Sequence, residues 1–143
     1  MAHKVYDPNQ LSVIFGVSPI VGFAEDTMIN IDVEDPQYNI NSDIHGEVTR
    51  FKVNKNLAKI TITLTQSSSS NDLLSNYVEL DRQNNSGVFL VMIKDTNGTT
   101  LFSSTAAYVE QVPSIEFGND NKTREWVIRA TNVTKFIGGI KDA

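Results

Sequence analysis

The stretch from Ala58 to Gln66 reads Ala-Lys-Ile-Thr-Ile-Thr-Leu-Thr-Gln, a strict alternation of apolar and polar side chains. An extended strand sends successive side chains to opposite faces, so this pattern makes one dry face and one wet face. Ala58, Ile60, Ile62 and Leu64 fall on the dry side; Lys59, Thr61, Thr63 and Thr65 fall on the wet side. The branched β-carbon of threonine suits a pleated surface. A strand with one buried face needs partner strands and a layer to cover that face, so this segment commits the chain to a β-rich, layered fold.

The same period recurs along the chain. From Met28 to Glu34, Ile29, Ile31 and Val33 alternate with Asn30, Asp32 and Glu34. Leu11 to Phe15 and Ile20 to Phe23 flank Gly16-Val17-Ser18-Pro19, a tight turn. Val88 to Lys94 and Thr100 to Ser103 flank Asp95-Thr96-Asn97-Gly98-Thr99, where Asn-Gly supplies the positive φ angles of a hairpin. Ala106 to Val112 and Glu125 to Val133 read as two further strands. Val88 to Ile93 is apolar almost without break, which predicts cover on both of its faces.

One segment changes period. Ser67 to Ser70 and Asn71 offer capping oxygens, and Asp72 sits where a helix N-terminus favours negative charge. Leu73, Leu74, Tyr77, Val78 and Leu80 form an apolar stripe, with Asn76, Glu79 and Arg82 on the other side. Asn84-Asn85-Ser86-Gly87 ends the run, with Gly87 available for the left-handed residue. The expectation is one amphipathic helix over about 71–83, flanking a β-sandwich or small barrel.

Asp35 to Gly46 reads as the longest loop, opened by Pro36, which blocks ladder bonding. It carries Tyr38, Ile40 and Ile44, and long loops with apolar content are commonly functional. Charge is segregated around it. From Glu25 to Glu47 every full charge is acidic, and from Arg50 to Lys59 every one is basic: Arg50, Lys52, Lys55 and Lys59. Two readings stand: solvated strand faces paired across a hairpin, or complementary surfaces for self-association.

Composition excludes several functions. The 143 residues suit a single domain, 1–143. Without cysteine there are no disulfides or thiolate metal sites, and two histidines, His3 and His45, cannot build a His-rich zinc site. A net charge of -5 opposes phosphate-driven nucleic-acid binding. No apolar run reaches the roughly 18 residues of a membrane span. The first residues carry no signal-peptide core, so the Asn-x-Ser/Thr triplets at Asn84, Asn97, Asn121 and Asn132 read as chance in a chain made in the cytoplasm. Asp32, Glu34 and Asp35 do not converge as cation ligands, because Asp35 points away in an unbroken strand. Asp43 and His45 lack a nucleophile. No phosphate loop, nucleophile elbow or dinucleotide fingerprint occurs. The chain is expected to have no cofactor, no metal and no enzymatic activity. Trp126 shares a face with Ile128 and Ala130, which reads as core before carbohydrate platform.

Several blocks together form a larger pattern. Tyr6-Asp7-Pro8 precedes a strand, and Val21-Gly22-Phe23-Ala24-Glu25-Asp26 leads into Met28-Ile29-Asn30-Ile31. Gly46-Glu47-Val48-Thr49-Arg50, the run Leu64 to Ser75, Val88 to Leu101, Thr123-Arg124-Glu125-Trp126-Val127 and Gly138-Gly139 follow. In this order, from about Tyr6 to Gly139, the chain resembles the tail tube proteins of contractile-tailed bacteriophages, whose architecture also occurs in contractile injection systems. The departure is Glu25-Asp26-Thr27, where the family's turn has Asp-Gly. The resemblance implies hexameric rings stacked into a hollow tube inside a sheath, with DNA passing through the lumen. Its implied partners are further copies of the chain, the sheath, baseplate and tail-terminator proteins, the tape measure protein and phage DNA without sequence-specific binding. Its implied place is the virion tail. The alternatives are a terminator or baseplate-hub ring of the same fold, or a monomeric glycan-binding sandwich. Within the first reading, Asp32, Glu34, Thr61, Thr63 and Thr65 are expected to face the lumen. Tyr38, Ile40, Ile44, Arg50, Lys52 and Lys55 are expected to meet a neighbouring subunit or ring.

Overall fold

The computed structural model describes residues 11–23, 29–34, 36–54, 56–96, 98–120 and 122–139. Among them the elements run β1 (Leu11–Phe15), β2 (Ser18–Pro19), β3 (Ile29–Val33), β4 (Tyr38–Ser42), β5 (Val48–Lys52), β6 (Ala58–Thr65), α1 (Ser70–Asn84), β7 (Phe89–Asp95), β8 (Leu101–Gln111) and β9 (Thr123–Phe136). The protein is mainly β with one helix, as the alternation requires. Seven strands form one sheet in the order β2-β1-β7-β8-β9-β6-β3, and β4 and β5 form a separate hairpin. Every pairing is antiparallel. The sheet is open: β2 and β3, at its two margins, do not pair with each other.

One face of the sheet carries the core. Ala58, Ile60, Ile62 and Leu64 of β6 are completely buried, joined by Trp126, Ile128 and Ala130 of β9, Phe89, Val91 and Ile93 of β7, and Val13 and Phe15 of β1. Each fully buried Ile or Leu contributes about 2–3 kcal/mol through its apolar area. Helix α1 closes this face with Leu73, Leu74, Tyr77 and Val78. Tyr77 stacks on Phe89 at 4.5 Å between ring centroids, and Phe89 on Phe15 at 5.3 Å. Leu80, expected in the stripe, stays exposed.

The helix is held by its leading turn in a way the serine run did not announce. Ser69 occupies the N-cap without a side-chain cap bond. The serines instead stitch the chain ahead of β3 to the turn: Ser70 Oγ accepts from Val21 N–H at 2.9 Å, and Ser68 Oγ donates to Val21 O. Thr65 N–H donates to Gly22 O at 2.8 Å. At the other end Asn85, not Gly87, takes the left-handed conformation (φ 58°, ψ 28°) and returns its N–H to Asp81 O. Asn tolerates that region because its short polar side chain bonds locally.

Five other expectations change. Ile20–Phe23 is not a strand; β2 is only Ser18–Pro19, and Phe23 makes one bridge to Leu64. Gly16 and Val17 alone form the turn, with Phe15 paired to Ser18. Thr100–Ser103 and Ala106–Val112 are one strand, β8. The apparent break at Ser104–Thr105 is an irregularity in which buried Ser104 Oγ donates to Thr131 O and accepts from Ala106 N–H, opposite Asn132 at φ 51°. Val88–Ile93 is not covered on both sides: Phe89, Val91 and Ile93 are buried, whereas Leu90 is 57% and Met92 50% exposed. Finally, 35–46 is not an irregular loop, because residues 38–42 form β4 and pair with β5.

Candidate functional site

The face of the sheet opposite the core is bare, and it gathers the residues expected to line a lumen. Register places Asn30 beside Thr61 and Asp32 beside Lys59 between β3 and β6, and Thr61 beside Val127 and Thr63 beside Glu125 between β6 and β9. The Asp32/Glu34 face and the threonine face are therefore one continuous surface. Thr65 is partly withdrawn from it, since its hydroxyl donates to Gly22 O at 3.2 Å.

Arg129 organises the middle of this surface, and the sequence did not single it out. From β9 it reaches Glu34 beyond the end of β3 at 2.7 Å and forks onto Glu110 of β8 at 3.1 Å from both Nε and Nη2. The hydrogen bonds that it donates to Glu110 and then to Glu34 hold its pKa above the ordinary guanidinium value, against the opposing effect of burial. The arrangement ties strands across the sheet and neutralises one positive charge against two negative ones. Its only hint in the sequence was a polar position within the alternating stretch of β9.

The same face turns apolar toward β1 and β7. Ile14 lies beside Met92 in register, and Leu101 beside Phe136. Ile14 and Met92, with Leu90, make an apolar corner around an open hollow of about 360 Å³ next to Ser103 and Thr105. The unbroken apolar run Val88–Ile93 was its signal, read as burial on both faces.

The β4–β5 hairpin projects as an arm. Residues 38–42 and 48–52 are all exposed. Tyr38 faces Lys52, Ile40 faces Arg50, and Ser42 faces Val48, so these side chains share one side of the hairpin. The Arg50 guanidinium sits 4.4 Å from the Tyr38 ring centroid, a cation–π contact. Asp43 Oδ1 fastens the turn by accepting from the N–H groups of His45 (2.9 Å) and Glu47 (2.8 Å). Asp43 thus holds the backbone of this turn. Ile44 stands at the tip, 94% exposed. The structure brings Tyr38, Ile40, Arg50 and Lys52 together; Lys55, Asp35 and the acidic Glu25 and Asp26 lie outside the described residues.

Among the described residues no three His, Asp or Glu side chains gather as a metal site. Trp126 is buried, and its indole N–H donates to Asn71 Oδ1 at 2.9 Å, which leaves its ring no open face for a sugar. What the molecule presents is two open sheet margins, a bare face that is polar at one end and apolar at the other, and a projecting arm.

No family model matches the chain. Structural protein ORF10 of Pseudomonas phage KPP10 is 37% identical over 147 residues, covering 95% of this chain and 83% of that protein. Among solved structures, the tube-terminating cap of the anti-feeding prophage aligns with a TM-score of 0.64 at 14% identity, covering 95% of this chain and 93% of the other. The sheath/tube terminator of the extracellular contractile injection system PVC gives 0.60 at 14% identity, covering 94% and 99%. A chain of the PVC sheath-tube complex gives 0.63 at 14% identity, covering 91% and 90%. At 14% identity these structural likenesses are likenesses of fold.

Proposed function

The chain belongs to the family of phage structural proteins that includes ORF10 of Pseudomonas phage KPP10, and from that premise we propose that it is a ring-forming tail protein that ends the tube, a tail terminator. The observation that carries this reading is the agreement of fold, over nearly the full span of both chains, with terminators of two injection systems. The open margins support it physically. Among the described residues, β3 on one side and β1 with the two-residue β2 on the other have no further strand beside them, and closing a ring of identical subunits satisfies such edges.

In the proposed hexameric ring the polar face of β3 and β6 turns toward the lumen. Asp32, Glu34, Glu110 and Glu125 there outnumber Lys59 and Arg129, so the wall leans acidic and phosphates slide past instead of binding. The arm and the apolar corner are left for neighbouring copies and for the sheath and tube. The second reading is a repeating tube subunit, favoured by the fold agreement with the sheath-tube complex; baseplate and tape measure contacts would follow from it.

Negative-stain electron microscopy of the purified chain at rising concentration tests both. Discrete rings that do not lengthen are the expected result. Hollow tubes that grow with concentration favour the repeating subunit. A chain that stays monomeric, even with tube and sheath supplied, overturns the reading.

A further inference from the structure

The acidic end of the bare face opens into a cleft. The register shift between Val109 and Gln111 turns the end of β8, and the connection to β9 leaves as Val112-Pro113-Ser114-Ile115-Glu116. Together with Thr123, Glu125 and Val127 of β9 it walls an open cleft of about 410 Å³. Its lining is mostly polar, with exposed Val112 and half-buried Pro113 as an apolar lip, Val127 buried behind them, and Glu116 and Glu125 as its carboxylates. Glu110, just outside the cleft, is already held by Arg129. Glu116 and Glu125 make no ion pair among the described residues. Of the nearby cations, Arg124 lines a different hollow, beneath the helix with Val78 and Trp126, and Lys122 lies along Gly118.

The arm has the opposite character: an apolar row of Tyr38, Ile40 and Val48 flanked by Arg50 and Lys52, none of them packed against the sheet. We infer that the arm of one copy docks in the Glu116/Glu125 cleft of the next, Arg50 and Lys52 against the two carboxylates and the apolar row against Val112 and Pro113. This deepens the ring reading and rests on it.

Position in the fold makes the partner a second copy. The arm is rooted where β3 ends and β6 begins, with Val53 N–H bonded to Gln37 O at 2.9 Å. The cleft lies at the other end of β6, where Thr65 meets Thr123. It runs back along β9 to Val127, opposite Thr61, so its far end lies about 25 Å from the root of the arm at the usual rise of a strand. The exposure of every strand residue of the arm shows that it is not laid back over its own sheet. Donor and acceptor at opposite ends make a heterologous contact, which closes into a ring when the rotation per copy divides a full turn. Opposite charges on its two sides select that pairing over arm-to-arm contact.

A charge swap tests it, read by sedimentation and microscopy, with a thermal melt confirming that each variant folds. Arg50→Glu with Lys52→Glu, and separately Glu116→Lys with Glu125→Lys, should each raise the concentration needed for assembly about tenfold or more. An equimolar mixture of the two should assemble again, because each then offers the other a complementary surface, and a chain carrying all four changes should assemble alone. If rings form from every variant at wild-type concentration, or if neither the mixture nor the fourfold variant recovers, the docking pair is wrong while the ring reading stands. If the wild type itself forms no rings under any condition, both fall together.

Discussion

Asn71 is the residue on which most of the local order converges. Its amide nitrogen donates to the carbonyl oxygens of Thr65 and Ser68, both at 3.0 Å, while its oxygen accepts from Trp126. It therefore fixes the turn between β6 and α1 and pins that turn to β9. Asn71→Leu leaves the Trp126 N–H buried without a partner and frees two carbonyls, at a cost of about 3 kcal/mol. A lower urea midpoint and an altered Trp126 emission would confirm it; an unchanged midpoint refutes it. Arg129→Met removes a partly exposed ion network, so a loss of about 1 kcal/mol at low salt is expected. That loss should shrink in high salt. Because the guanidinium pKa is raised, the arginine's own stabilisation is complete below its unfolded value and fades only as pH climbs through the higher folded one. Varying pH within the neutral range should therefore leave this contribution flat. Two of the blocks that carry the family resemblance, Leu64–Ser75 and Thr123–Val127, hold the two ends of the Asn71–Trp126 bond. Spacing alone did not reveal that link, since a hydrogen bond across 55 positions leaves no periodic trace.

At the scale of elements, periodicity carried far where one face is buried and failed where neither or both are. β6, β3, β9 and α1 were legible because their dry faces repeat every second residue or every turn. The arm reads as loop in the sequence because a hairpin exposed on both sides has no dry face to mark it, and its cross-strand neighbours include no opposite-charge pair. β8 was read as two strands because Ser104 and Thr105 look like a break, although Ser104 caps an irregularity within one strand. Two predictions belong here. Replacing residues 37–53 with a short flexible linker should leave the melting temperature nearly unchanged, since the arm adds nothing to the core, and should abolish assembly; calorimetry and sedimentation read the two effects. Gly16→Ala should destabilise by about 1–2 kcal/mol, because the turn holds φ at 68° and the new methyl would meet the Tyr77 hydroxyl. Equal stability of the two chains in urea would count against that account.

For the whole molecule, the alternation in β6 was enough to require a sheet with one covered face, and the blocks of resemblance pointed to phage tails. What the uncovered face does was not legible, because apolar residues there look in sequence like core. Leu90 and Met92 show the difficulty: they continue a buried pattern yet stand in solvent. Leu90→Asp with Met92→Lys should shift folding stability by less than about 0.5 kcal/mol, as surface changes do. If the apolar corner is an assembly surface, the same pair should impair assembly or binding to sheath and tube. Variants that assemble and bind like the wild type would restrict the contact to the arm and the sheet margins.

The bare arm also sets how long an unassembled copy lasts. A two-stranded hairpin without a covering layer is marginally stable, so in the free chain Arg50 and Lys52 open repeatedly to proteases that cut after basic residues. Docked against a neighbour as proposed, the same bonds would be shielded. Brief trypsin treatment should nick free subunits in the arm and, if the arm docks as proposed, spare assembled ones; equal cleavage of both would count against that docking.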